Sequence, residues 1–406
     1  MIKSRFLLTV LCLCLSFLSI AGKCKNNSNA ACCVASQMYP GWNLANTMEA
    51  TGQGLAAETS WQTTKTTKEI IDFIKQQGFR SVRIPCSWDI HSDARGKIDR
   101  QWMSRVKEIV DYCIKDGLYV VLNDHWDNGW IEVKGFSKTD QTYEKVDEQT
   151  IQAKIARLKD LWTQIAVAFK DYDEHLLFAG LNEPFQQYNL FHGKHQELTP
   201  ILLRYNQAFV EAVRATGGKN KKRILVVQTP GISISSAVNE ENHFVMPVDP
   251  VGKGRLMVEV HYYEPWDFCG QEEGGKWFWG QGQHIEGDSH NCEWGEESWS
   301  ESQFSSMKKK FFDQGYPVIL GEYGVNWREV SSHQDMHDVS VKAWFKDVTW
   351  KAIANGCVPM LWDINAINRH GEKGVLSVID RANLKVFCTV GMEGITEGVR
   401  VAKWPQ

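Results

Sequence analysis

The chain lacks a charge excess: 45 Lys and Arg stand against 49 Asp and Glu, a formal net charge of −4 in 406 residues. That excludes the basic footprint with which proteins bind nucleic acid or anionic membranes. The chain also lacks a Pro/Ser-rich linker, an internal repeat and a low-complexity tail, so nothing marks a boundary between domains. No Cys pair has the spacing of a metal finger. Beyond the first residues no second apolar run is long enough to span a bilayer. With 43% hydrophobic and 23% charged residues, the chain is an ordinary globular protein with ample core.

The first residues are patterned differently. Lys3 and Arg5 precede an apolar run over 6–20, and Ser19-Ile20-Ala21 offers a small-residue cleavage site. This reads as a secretory signal peptide over 1–22 followed by a mature chain over 23–406, secreted to the periplasm or the exterior. Cys24 raises the alternative of a lipoprotein anchor, against which Lys23 argues. Cys12 and Cys14 fall inside the signal, leaving nine of the 11 Cys, an odd number for an exported protein. Cys86, Cys113 and Cys357 lie in apolar contexts and read as buried thiols, and Cys24, Cys32 and Cys33 crowd the new N-terminus. Cys269 and Cys292 flank one long segment, and export favours a disulfide between them.

From about residue 30 onward a short apolar run ending in a polar or aromatic residue is followed, again and again, by a longer amphipathic stretch. Strands alternating with helices imply parallel βαβ units. Eight strands are expected, around 41–44, 82–84, 119–123, 176–181, 224–228, 256–261, 318–321 and 359–362. Helical patterning covers 65–76, 103–115, 151–170 and 201–215. Eight such units point to an α/β fold of the closed (β/α)8 barrel type, in one domain. The connection over 264–301 has no periodicity but holds Trp266, Trp277, Trp279, Trp294 and Trp299. A loop this long and this aromatic, leaving the sixth strand, is expected to overhang the cleft as a substrate wall, with a packed lid as the alternative.

Such barrels place their chemistry at the carboxyl ends of the strands. There the sequence delivers two carboxylates from buried runs: Glu183 in Phe178-Ala179-Gly180-Leu181-Asn182-Glu183-Pro184, and Glu322 in Val318-Ile319-Leu320-Gly321-Glu322-Tyr323-Gly324. Two glutamates facing one cleft are what glycosidic bond cleavage needs. The other strand ends carry Asn43 in Gly41-Trp42-Asn43-Leu44-Ala45-Asn46-Thr47, Arg83, Trp88, Asp124-His125-Trp126, His261-Tyr262-Tyr263 and Trp362-Asp363.

Taken in order, these motifs resemble glycoside hydrolase family 5, over about 41–362, and most closely its secreted β-1,4-glucanases, the cellulases. The resemblance implies Glu183 as acid/base and Glu322 as nucleophile. It implies Arg83, His125, Asn182, His261, Tyr263 and Trp362 as the surrounding site. Trp126, followed by Asp127, departs from relatives that carry a second His or a small residue there. Physically, the nucleophile needs donors that hold it ionised, for which Arg83 and Tyr263 are candidates. The acid needs a raised pKa, which the neighbouring Glu322 would impose on Glu183. Asn182 can bond the substrate 2-hydroxyl. Among the 17 Trp, a flat apolar face suits sugar stacking at Trp88, Trp126, Trp130, Trp266 and Trp327, and core packing is the alternative for each. His91 stands between a ligand contact and a surface position.

The expected substrate is therefore a β-1,4-glucan cut internally, cellulose-type or mixed-linkage, with xyloglucan or β-mannan as alternatives. No cofactor or metal is called for, and a monomer is expected. No attached binding module is visible, which makes crystalline cellulose a poor main target. Two rivals remain: a metal-dependent barrel hydrolase using Asp124, His125, Asp127 and His261, and a sugar-binding barrel without turnover.

Overall fold

The computed structural model describes residues 29–132, 147–185, 197–368 and 371–406. The expected signal peptide and Cys24 lie outside these residues. Eight parallel strands close into a barrel in chain order: β1 (Gly41–Asn43), β2 (Ser81–Ile84), β3 (Tyr119–Asn123), β4 (Leu176–Ala179), β5 (Leu225–Ser233), β6 (Leu256–Tyr262), β7 (Val318–Tyr323) and β8 (Cys357–Leu361), with β1 paired to β8. All eight expected strands are present. The main boundary differences are that β5 and β7 run further, and β4 stops four residues before Glu183.

The helices form where the sequence provides an apolar face, and some also start at a side-chain cap. Asp99 accepts the N–H of Trp102 and starts Arg100–Lys115. Asp147 accepts the N–H of Thr150 and starts Glu148–Ala168. Each satisfies an otherwise orphaned donor of the first turn. Ile70, Ile71 and Ile74 are the buried face of Lys68–Gln76. The expected helix 65–76 begins later, at Lys68, because Thr67 is extended.

Strand alternation sorts the core into two parts. Val82, Val120, Phe178, Val258, Val260 and Leu320 point outward into the large cluster shared with the helices. Val121, Leu177, Ala179, Val226, Met257, Ile319, Val358 and Met360 point into the barrel, joined by Ala31, Val34, Ala35 and Met38 from the N-terminal segment. The barrel interior is thus a packed plug of side chains and not a pore. Above this layer the inward positions turn polar: Asn43, Arg83, Gln228 and Glu259 are each 0% exposed. That polar layer is the platform of the site.

The segment 264–301 is mostly packed on itself. Trp277, Phe278 and Trp279 are buried, and the Trp279 indole N–H donates to the Gly295 carbonyl at 2.9 Å. Both Cys269 and Cys292 are buried within it and each carries a free thiol, so the expected disulfide between them is not formed. Cys32 is also free, whereas Cys33 is disulfide-bonded. Cys86, Cys113 and Cys357 are the buried thiols that their apolar contexts indicated.

Candidate active site

Period-two alternation along β6 puts Met257, Glu259 and His261 on the barrel interior. On β7 the same rule would send Glu322 outward, since Ile319 points in and Leu320 out. A bulge corrects this. Val260 pairs with Leu320, but the next residue of β6, His261, pairs with Glu322, so Gly321 is the extra residue. The bulge turns Glu322 into the site, a recurrent use of bulges beside active centres. Only glycine fits at 321: a Cβ there would lie 2.0 Å from Oε1 of Glu259.

Glu183 stands in the turn after β4, and one carboxylate oxygen each of Glu183 and Glu322 and a ring nitrogen of His261 lie within 4.8 Å of one another. Glu322 is surrounded by donors. Arg83 Nη1 donates to its Oε1 at 3.0 Å, Tyr263 Oη donates to its Oε2 at 3.0 Å, and His261 Nδ1 lies 3.7 Å from Oε2. Arg83 also donates to Asn43 Oδ1 at 3.0 Å and Asn182 Oδ1 at 2.7 Å, and its Nε forms an ion pair with Glu259 at 2.9 Å. Asn43 in turn donates to the carbonyls of Gly321, Met360 and Leu361, tying Arg83 to β7 and β8.

His261 bridges the carboxylates, with Nδ1 2.7 Å from Glu183 Oε1 and Nε2 3.4 Å from Glu259 Oε1. Burial opposes its charge, but Glu322, Glu183 and Glu259 together raise it to about 9, so it is an imidazolium. Burial pushes Glu322 above the ordinary carboxylate range, and the negative charge of Glu183 adds to this; His261, Arg83 and Tyr263 pull it back. Glu322 is the more deeply buried of the two, its side chain 7% exposed against 24% for Glu183. Tyr263 is held protonated, by burial first and then by Glu322 and Glu183. His125 is held neutral by burial, Arg83 and His261. Its Nδ1 accepts from Asn123 at 3.2 Å and its ring stacks parallel to Trp362 at 5.7 Å.

The catalytic candidates open on a cleft of about 430 Å³ lined by His125, Asn182, Glu183, Tyr263, Glu322 and Trp362. Its rim carries Trp126 and Trp266, 51% and 57% exposed. Trp266 is the one described residue of 264–301 that lines it. Three expected platforms do not. Trp88 is 0% exposed, with its indole N–H on the Asn123 carbonyl. Trp130 donates to Asp124, and Trp327 donates to Asp338. His91 is buried and stacked on Trp102 at 3.6 Å, so it is neither a ligand contact nor a surface residue.

The proposed metal set is not assembled. Asp127 instead accepts the backbone N–H groups of Trp88, Asp89 and Ile90, and Asp124 is a buried carboxyl beside it. Sequence reasoning missed two participants. Trp61 lines the cleft at 46% exposure, and it sits in a loop with no periodicity to mark it. Glu259 looked like one more residue of a strand, although a Glu at an inward position two before His261 is a signal in itself.

A closed (β/α)8 barrel with paired glutamates and donors at the carboxyl ends of its strands defines a glycoside hydrolase. The family model described as cellulase, glycosyl hydrolase family 5, matches residues 45–368, and the chain belongs to that family. It is an enzyme of the endo-β-1,4-glucanase type. Endoglucanase A of Paenibacillus barcinonensis is 34% identical over 347 residues, covering 83% of each chain. A solved family 5 xyloglucan-specific β-1,4-glucanase from a ruminal metagenomic library is 57% identical, with a TM-score of 0.86, covering 92% of this chain and 97% of its own. A family 5 xyloglucanase from Paenibacillus pabuli is 33% identical with a TM-score of 0.77, covering 90% of this chain and 99% of its own. Among the described residues, no helix is long and apolar enough to cross a membrane.

Proposed function

We propose that this enzyme cuts the β-1,4-glucan backbone internally with retention of configuration, and that xyloglucan is the β-glucan it turns over fastest. The observation that carries the mechanism is the carboxylate pair, with oxygens within 4.8 Å at the floor of the cleft. Retaining enzymes hold their carboxyl groups about 5–5.5 Å apart, and inverting ones about 6.5–9.5 Å. Xyloglucan is placed ahead of unbranched glucan because of the 57% identity to a xyloglucan-specific enzyme.

The donors support the division of roles. Glu322 receives Arg83 and Tyr263 on its two oxygens, which favours its anion and aims it as the nucleophile. Glu322 attacks the anomeric carbon while Glu183 gives a proton to the departing glycosidic oxygen. The glycosyl ester that forms leaves Glu322 without charge. Glu183, now a carboxylate held by His261, takes a proton from water as that water attacks the anomeric carbon; the bond from that carbon to Glu322 breaks, the carboxylate of Glu322 is restored and the sugar leaves with its configuration retained. The oxygen of Asn182 is engaged by Arg83, which orients its amide nitrogen for the sugar 2-hydroxyl. Trp362, backed by His125, forms the floor, and Trp61, Trp126 and Trp266 are platforms for sugars further out.

The segment over 1–22 suits an export signal, and we take the enzyme to work outside the cytoplasm as a monomer. The test is reducing-end release from xyloglucan, carboxymethyl-cellulose, barley β-glucan and glucomannan in parallel. Fastest release from xyloglucan supports the reading. Faster release from any of the others overturns the substrate order, and none from all four overturns the activity.

A further inference from the structure

Glu259 is the third carboxylate of this site, and neither half of the double displacement draws a proton or a bond from it. It lies 0% exposed below the catalytic pair. Arg83 of β2 faces it at 2.9 Å through Nε, and Gln228 of β5 donates to its Oε2 at 2.7 Å. His261 of β6 faces it at 3.4 Å through Nε2, and Gly321 of β7 leaves the room it fills. Oε1 of Glu259 thus faces both cations that serve Glu183 and Glu322, and Gln228 holds its Oε2.

We propose that Glu259 is a positioning residue that fixes the proton inventory of the catalytic pair, by holding His261 as a two-proton donor and Arg83 in line with Glu322. The geometry of His261 fits this. Each of its ring nitrogens faces a carboxylate oxygen, Glu183 on one side and Glu259 on the other. A neutral imidazole has one N–H and could donate to only one of them. The raised pKa of about 9 agrees. Glu259 itself is held below the ordinary carboxylate range: burial opposes its charge, and Arg83, His261 and Gln228 outweigh it.

The charges then balance. Arg83 and His261 are the cations, and His125, the other histidine near them, is neutral. Glu259 is one anion, so the buried cluster is neutral when the Glu183–Glu322 pair holds a single proton. That is the state a double displacement starts from, with Glu322 ionised and Glu183 protonated. In the glycosyl-enzyme Glu322 is an ester and Glu183 is ionised, so the cluster is again neutral. Neither half-reaction leaves an uncompensated charge in a site where desolvation makes one costly. Without the Glu259 charge the same proton count leaves a net positive cluster, and its first proton departs at lower pH.

This inference rests on the proposed retaining reaction, and its test separates the two. Wild type, Glu259→Gln and Glu259→Asp are assayed on an aryl β-cellobioside across pH. In Glu259→Gln the alkaline limb of kcat/KM should move to lower pH by about one unit or more, the scale set by removing one buried neighbouring charge. Glu259→Asp, which keeps the charge, should hold the limb near its wild-type position even where kcat falls. A limb that stays put in Glu259→Gln while kcat drops at every pH would mean a merely structural role and would overturn the proposal. Nitrogen NMR of the wild-type His261 ring supplies a second test that needs no folded variant. The ring should remain doubly protonated over roughly pH 5 to 8, where an ordinary histidine loses its charge. A ring that titrates in that window overturns the proposal, even if the enzyme cleaves every β-glucan offered. Failure of the wild type to cleave any of them would count against the activity instead.

Discussion

Replacing Arg83 with Met should destabilise the protein by an amount that depends on pH. The guanidinium is 0% exposed and holds Asn43, Asn182, Glu322 and Glu259 at once. Met fills much of the volume but leaves Glu259 without its main cation and Glu322 without one of its two. Breaking a buried pair by removing one partner costs about 3–5 kcal/mol. Unfolding entropy scales at about 2.1 cal/mol/K per residue, so for 406 residues that cost lowers Tm by about 4–6 °C. The pH dependence follows from Glu259. Its carboxyl is held below the ordinary range in the folded protein, so the stability it contributes is present above its unfolded pKa and lost as pH falls through the folded one. The variant has no such contribution to lose, and its bare carboxylates take up protons on the acid side of neutrality. The deficit should therefore be widest near neutral pH and should close as pH falls through the lowered folded-state pKa of Glu259. Scanning calorimetry of both proteins across pH reads this directly. A Tm within about 1 °C of wild type near neutral pH, or a deficit of the same size at every pH, would refute the reasoning.

Glu183→Ala should spare glycosylation on aryl glycosides with good leaving groups and nearly abolish it on xyloglucan; equal loss on both, measured as kcat/KM, would argue against an acid role. Gly321→Ala forces Glu259 to move, since the new Cβ would meet Oε1 at 2.0 Å. Overpacking should cost about 1–3 kcal/mol in thermal unfolding and depress kcat through the displaced Arg83 and His261. Trp126→Ala removes an exposed platform, and loss of about 1–2 kcal/mol of aromatic contact should raise KM on polysaccharide roughly 5- to 30-fold with kcat little changed. A Trp126→Ala enzyme with unaltered KM would place the sugar chain elsewhere.

The barrel was legible because its signals are local. Each buried strand announces itself as an apolar run, and helices such as Arg100–Lys115 and Glu148–Ala168 as a period of 3.6. Glu183 and Glu322 were legible because the polar residue after such a run falls at the end of the barrel where loops meet. What stayed hidden depends on neighbours far away in sequence. The bulge at Gly321 is a matter of register against β6, and without it the parity rule would have turned Glu322 outward. Trp88 and Trp126 look alike as tryptophans near strand ends, yet one is buried with its indole on a carbonyl and the other is half exposed. The Cys269–Cys292 expectation relied on export and on their flanking one segment, neither of which sets the geometry between two thiols.

The assignment of Glu322 as nucleophile is tested most directly by trapping. A 2-deoxy-2-fluoro-β-cellobiosyl fluoride should inactivate the enzyme with time, and peptide mass spectrometry should find the sugar esterified to Glu322. A sugar on Glu183, or turnover with inversion and no adduct at all, would contradict the two-glutamate account.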